Sequence, residues 1–417
     1  MNVKTKYPVV LVHGMMLKDF KYYRAFRKIA EHLENPLLTT SLRNSDSEEE
    51  YYTNPELIAE AYEGIVDIII DIVNKNGETV YRHQFGFSDK ECKRPVQGNE
   101  IYRIYSCSKV ITCTAVMKLI TEGKLGLYDN LSDYIPEFGE MYIKAENGKV
   151  KAENPIRIID LMQMAAGFTY DCGNPVIVNY RNETGGKADT LGTVKEMSKM
   201  LLAFEPGYAY CYSLCHDILG AVIEVVSEQK LSDFMKENFF IPLGMYETDY
   251  KYTFGSPDRY FWRQSYNAQT GNTTDVEADT NWFELGSEYE SGGAGVITTV
   301  DDYIKFSQML CDGGVTKDGK RLVAFEGIDL MRKTINENQS AFYMTDYKYA
   351  LGVRTHVSNE HSFSKSALYE FGWDGAFGAY TEIDIENKIA VYFGCGTGGI
   401  NALVHPDMRN LIHEAIE

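Results

Sequence analysis

None of the eight cysteines belongs to a Cys-x-x-Cys pair. That absence argues against a paired-cysteine zinc site and a disulfide framework, so reduced thiols in a cytoplasmic protein are expected. No stretch approaches the ~20 apolar residues of a membrane span. The opening MNVKTKYPVVLVHGMM has an apolar run that is too short for a secretory h-region and is interrupted by His13. Positive charge is scarce: 41 Lys+Arg stand against 60 Asp+Glu, a formal net charge of −19. DNA, RNA and anionic membranes would be repelled by such a surface. There is no internal repeat, no low-complexity tract and no G-x-S-x-G elbow.

What remains is an ordinary globular composition, 44% hydrophobic over 417 residues. That length points to two packed subdomains or one domain with a large insertion. Residues 7–14 (YPVVLVHG) read as a strand and 19–33 as a helix, followed by a polar linker over 43–55. Residues 66–73 (VDIIIDIV) and 79–87 (TVYRHQFGF) flank NKNGE and form a β-hairpin signal. A helix is expected from Ser106 to Gly123, with an apolar face at Val110, Ala115, Val116, Leu119 and Ile120 and Gly123 as the C′ stop. The chain from about 125 to 285 reads as helical and loop-rich, clearest at 156–164, 193–203 and 216–228. A helix at 299–312, strands at 377–385 and 388–394 and a final helix over 405–416 complete the pattern. Strands at both ends can join in one antiparallel sheet, with the middle as a separate helical layer.

The leading chemical candidate is Ser106-Cys107-Ser108-Lys109. Residues three apart share a helix face, and a serine at a helix start meets the positive end of the dipole. A desolvated lysine one turn on can accept the serine proton. The S-x-x-K pattern recurs at Ser227–Lys230 and Ser362–Lys365, but only Ser106 follows a hairpin and opens a long helix. Tyr212, in Tyr210-Cys211-Tyr212-Ser213-Leu214, could be a general base as a lysine-stabilised phenolate; against this, the chain holds 30 tyrosines, and most must be packing residues. Phe371-Gly372-Trp373-Asp374-Gly375-Ala376 precedes a strand and could bring substrate and an N–H donor to its edge, or be a glycine-rich turn with an aromatic plug. His356 and His361 lack a helical ligand spacing. Cys211, Cys215 and His216 have zinc-ligand chemistry, but each has a structural reading beside Tyr212, so no metal is expected.

Together these segments resemble one family. RIYSCSKVITCTAVMKLITEGKL is similar to its nucleophile helix and IRIIDLMQMAAGF to the segment that usually reads DLLTHTSGL. YSLCHDILGAVIEVVSEQKLSDFMKENFFIPLGM is similar to its tyrosine-motif helix. SGGAGVITTVDDYIKFSQML and FGWDGAFGAYTEIDIENKIAVYF resemble the blocks before and across its third motif. The family is the penicillin-recognising serine enzymes: class C β-lactamases, their family VIII carboxylesterase relatives and related peptidases. The resemblance implies an α+β, β-lactamase/transpeptidase-like fold: an antiparallel sheet flanked by helices plus an all-helical subdomain. On it, residues 55–417 form the catalytic domain, with 55–115 and 290–417 as the α/β part and 116–289 mainly helical. Residues 1–50 are an extension of unknown role, where His13 is more readily structural than catalytic because triad partners are missing.

Carried over by position, Ser106 matches the acylated serine, Lys109 the motif lysine and Tyr212 the motif tyrosine. Trp373, Asp374 and Gly375 fall on the third motif, and the backbone N–H groups of Ser106 and Ala376 match the oxyanion donors. Leu214 stands where an Asn is usual and Trp373 where a cation is usual. Loss of an amide and a cation weakens polar grip on a β-lactam, and an apolar wall suits an ester. The expectation is a serine hydrolase that forms an acyl-enzyme with a small-molecule ester or amide, without metal or organic cofactor. Lactam or D-amino-acid peptide turnover is the alternative, and a non-catalytic binding protein the rival from another class. Self-association is left open.

Overall fold

The computed structural model describes residues 68–74, 78–276, 282–338, 346–360 and 364–416. The strand, helix and linker read over 7–55 therefore lie outside the described residues.

Seven strands form the main sheet: β1 (Ile68–Asn74), β2 (Thr79–Phe85), β3 (Tyr347–Tyr349), β4 (Arg354–His356), β5 (Phe371–Asp374), β6 (Tyr380–Asp384) and β7 (Ile389–Cys395). Their order is β2-β1-β7-β6-β5-β4-β3, antiparallel throughout. The two ends of the described chain meet at the β1–β7 ladder, from Ile68 opposite Cys395 to Asn74 opposite Ile389. β7 is buried at every position, and its side chains alternate between two cores. Ala390 and Tyr392 join the larger core, which includes α3 (Val300–Cys311). Val391 and Phe393 face Val404, Met408 and Ile412 of α4 (Asn401–Ile416). Helices thus cover both faces, which is why β7 reads as a continuous apolar run.

Ser106 lies in a 3-10 turn, Tyr105–Cys107, that leads into α1 (Ser108–Thr121). Gly123 has φ +70°, as a left-handed C′ stop requires. The expected apolar face understates this helix. Ser108 to Met117 and Leu119 are all buried, so α1 is a core helix. Its polar side chains are satisfied locally: Thr112 donates to the Gly292 carbonyl at 2.7 Å, and Ser108 accepts from Val296 N–H at 3.1 Å. The segment Ser291–Gly295 therefore runs directly along α1. Alongside α1 packs α2 (Cys215–Ser227).

The middle of the chain is helical at Pro175–Glu183, Thr190–Met197 and α2. It also carries hairpins at Tyr142–Ala145/Gly148–Lys151 and Arg263–Asn267/Asn272–Val276. The first turns at Glu146-Asn147, and the strand that follows, Gly148–Lys151, is fully exposed. Without a buried face it leaves little hydrophobic alternation to read.

Between the sheet and α4 lies a buried charged layer. Arg354 pairs with Glu370 at 3.0 Å and Asp374 at 3.4 Å, and donates to the Tyr380 hydroxyl at 2.9 Å. His413 of α4 pairs with Glu382. Removing one member of a buried pair strands its partner charge. Arg354→Ala is accordingly expected to lower unfolding stability by about 3 kcal/mol, measured by urea denaturation; a change within ~0.5 kcal/mol, the range of a surface substitution, would contradict the ion-pair reading.

Candidate active site

The geometry begins with a strained residue. Tyr105 has φ +46°, an uncommon conformation for a bulky side chain. Its ring is held against Phe377 at 4.9 Å and Phe283 at 5.7 Å between centroids, and its hydroxyl accepts from Arg263. The next residue, Ser106, is 9% exposed.

Lys109 is fully buried. Its Nζ lies 3.1 Å from Ser106 Oγ, 3.3 Å from the Tyr170 hydroxyl and 2.7 Å from the Gly293 carbonyl. A neutral amine has two N–H donors and one lone pair. Gly293 O accepts one donor and the Tyr170 hydroxyl can accept the other, which leaves the lone pair for the Ser106 hydroxyl proton. Burial pushes the lysine down from its ordinary range to about 8, against the pull of Asp217 in the opposite direction. The amine is thus partly free at neutral pH, as a base for serine must be.

Tyr212 has the Ser106 hydroxyl as a hydrogen-bonding neighbour and accepts a hydrogen bond from Trp373 Nε1 at 3.0 Å. Lys109 Nζ sits over its ring, 4.7 Å from the centroid. Burial raises the phenol well above its usual range. Tyr212 therefore rests as a neutral phenol, not as the lysine-stabilised phenolate considered from sequence, and is a proton donor first.

The third-motif residues divide. Gly375 turns the chain off β5: its N–H bonds to the Ala379 carbonyl at 2.7 Å, and a Cβ there would sit 2.5 Å from the Ile104 carbonyl. Ala376, next in the chain, is exposed. Neither the Ala376 nor the Ser106 backbone N–H makes a hydrogen bond among the described residues, so both are available to an oxyanion. Two expectations need correction. Trp373 is 5% exposed and stacks on Tyr212 at 5.6 Å, so it orients the phenol and is not an open apolar wall for substrate. Asp374 is buried against Arg354 and His405, so its carboxylate belongs to the charged layer and not to substrate binding. Leu214 is 2% exposed, in the large core where α2 begins; it offers a substrate almost no surface.

Three neighbours of the site went unread. Tyr170 follows the AAGF segment and contacts Lys109 directly. Gly293 supplies the carbonyl to Lys109, and a Cβ on it would meet Asp217 Oδ2 at 2.6 Å and Lys109 Nζ at 3.3 Å. Asp217 itself is 1% exposed. The glycine run Ser291–Gly295 was the available signal, since glycine is used where backbones and side chains approach closely.

Among the described residues no group of three His, Cys, Asp or Glu could hold a metal, and no helix is long and apolar enough to cross a membrane. Among the described residues none of the eight cysteines forms a disulfide. His216 is buried, held neutral by that burial, and lies 3.6 Å from Cys113 Sγ.

Comparison with known proteins gives a consistent picture. A protein of Salmonella typhimurium named "Putative D-alanyl-D-alanine carboxypeptidase" is 27% identical over 352 residues, 77% of this chain and 76% of that one. Esterase EstB of Burkholderia gladioli is 27% identical over 254 residues, 57% of this chain and 63% of that one. The solved structure of EstCE1, described as a hydrolase with promiscuous acyltransferase activity, superposes with a TM-score of 0.70 at 22% identity. It covers 86% of this chain and 95% of its own, and shows the shared fold. The family model described as Beta-lactamase matches residues 72–395, so the chain belongs to the beta-lactamase family and is a serine hydrolase of that α+β fold.

Proposed function

We propose that the protein hydrolyses a small carboxylic ester through an acyl-enzyme on Ser106. The observation that carries this reading is the lodging of Lys109, whose Nζ is within hydrogen-bonding distance of the Gly293 carbonyl, the Tyr170 hydroxyl and the Ser106 hydroxyl; in the neutral amine the first two take its N–H groups and the lone pair falls to the serine proton.

Ser106 Oγ attacks the ester carbonyl carbon as its proton passes to Lys109 Nζ. The carbonyl oxygen becomes an oxyanion at the Ser106 and Ala376 N–H groups. Collapse breaks the bond to the alcohol, which leaves with the Tyr212 proton. The transient phenolate is stabilised by the Trp373 N–H and by the Lys109 ammonium over its ring. Water then gives its proton to Tyr212 and attacks the acyl carbon. Ser106 departs with the proton stored on Lys109, which completes the balance.

Ester preference rests on what the site lacks. Leu214 and Trp373 replace an amide and a cation with groups that are both buried, and polar recognition is what discriminates most strongly between substrates. The esterase name of one relative points the same way, whereas the Salmonella relative's name favours a D-alanyl peptide as the second reading.

Two kinds of outcome are expected, the first concerning the nucleophile and the substrate class. Ser106→Ala should reduce p-nitrophenyl acetate turnover at least ~1,000-fold with an unchanged circular dichroism spectrum. In wild type, that ester should exceed nitrocefin and D-alanyl-D-alanine peptide in kcat/KM. Near-wild-type ester turnover in Ser106→Ala refutes the nucleophile, and faster peptide or nitrocefin turnover refutes the substrate class. The second concerns pH. A base that works as the free amine gives activity that rises with pH through the lysine's titration, so the acid limb of kcat/KM should be centred near about 8. A limb centred in the ordinary carboxylate or histidine range would assign the base elsewhere.

A further inference from the structure

Beneath the Ser106–Lys109 pair lies a carboxylate for which the mechanism above has no use. Asp217, in the first turn of α2, is 1% exposed. Its Oδ1 accepts from the Tyr289 hydroxyl at 2.7 Å and the Ser291 hydroxyl at 2.5 Å. Its Oδ2 lies against Gly293, the residue whose backbone N–H bonds the carboxylate and whose carbonyl holds Lys109. Oδ2 and Lys109 Nζ lie 2.6 and 3.3 Å from one and the same point, the place a Gly293 Cβ would occupy. The two atoms are therefore within about 6 Å of each other, the range in which an opposite charge reshapes a titration.

Burying a carboxylate in this way is costly unless something compensates. Two hydroxyls are committed to Oδ1, and glycine keeps the space beside Oδ2 clear. Other groups facing Lys109 are the thiols of Cys107 and Cys113 from its own turn and helix, Cys172, the phenols of Tyr170 and Tyr212, and the His216 imidazole of α2, which burial holds neutral. Burial pushes each of these towards its neutral form. Among these groups Asp217 is the one carboxylate; burial raises it as well, opposed by the Ser291 hydroxyl, the Lys109 charge, the Tyr289 hydroxyl and the Gly293 N–H. It also stands three residues beyond Leu214, on the same side of the turn.

We propose that Asp217 is a positioning residue for Lys109: its carboxylate, clamped by Tyr289 and Ser291 and set across Gly293, holds the lysine in place and keeps its amine basic enough to take the Ser106 proton. A buried amine with no counter-charge would be a poor base, because desolvation alone favours loss of its proton. A direct contact would fix the amine as an ammonium ion. A carboxylate behind a glycine lies between these extremes. The proposal rests on Lys109 accepting the serine proton.

The sign follows directly. Removing the negative charge favours the neutral amine, so the lysine titrates at lower pH. In Asp217→Asn, the acid limb of the kcat/KM profile for p-nitrophenyl acetate should move down by about one pH unit or more. Asp217→Glu, which keeps the charge, should leave the limb near its wild-type position. A merely structural role would lower kcat or thermal stability without moving the limb. An unmoved limb in Asp217→Asn, or one displaced upward, overturns the proposal. If Asp217→Asn does not fold, Asp217→Ser, smaller and uncharged, must show the same downward shift, and an unmoved limb there is equally fatal. Lys109→Ala separates the two levels: wild-type turnover in that variant overturns the base assignment itself, whereas an inactive Lys109→Ala with an unmoved Asp217→Asn limb overturns only the role of Asp217.

Discussion

Everything at this site depends on keeping one amine out of water. Lys109 is wholly buried within a core helix, and an unpaired ammonium there would be costly. The fold responds with three specific contacts: a backbone carbonyl, a phenol and the Ser106 hydroxyl. The same desolvation that makes the position expensive makes the lysine useful, because it lowers proton affinity into the working range.

The surrounding architecture follows from that lodging. The Ser291–Gly295 segment runs against α2 so closely that a Cβ at Gly292 would fall 2.3 Å from the His216 carbonyl, and one at Gly293 2.6 Å from Asp217. This segment joins the nucleophile helix to α2. On the other side, the turn at Gly375 packs on Ile104, just before the strained Tyr105. Ser106 is thus gripped from the sheet side by β5 and from the helical side by α2 and the glycine segment. The buried ion pairs of Arg354 with Glu370 and Asp374 tie β5 to its neighbours, so part of the third motif serves the sheet.

The sequence exposed those parts of this arrangement that leave a periodic or local mark. The hairpin of β1 and β2, the C-terminal strands and the helix stop at Gly123 were legible because alternation and a left-handed glycine are local properties. The S-x-x-K spacing was legible because one helical turn superposes its ends. Tyr170 and Asp217 were not, because each reaches Lys109 from a distant segment, 61 residues away in the case of Tyr170. Trp373 misled for a related reason: its place in the motif suggested a wall facing substrate, while its indole N–H is committed to Tyr212. The hairpin that turns at Glu146-Asn147 was hidden because its second strand, Gly148–Lys151, is exposed at every position, which erases the apolar alternation.

The central claim is that Lys109 is a free amine at mildly alkaline pH, with its lone pair directed at Ser106. The most direct test is to titrate that side chain in the intact protein, by NMR of carbon-labelled lysine with Lys109→Arg used to assign the signal. A midpoint near about 8 agrees with the desolvated site, and one at the ordinary lysine value of 10.5 contradicts it.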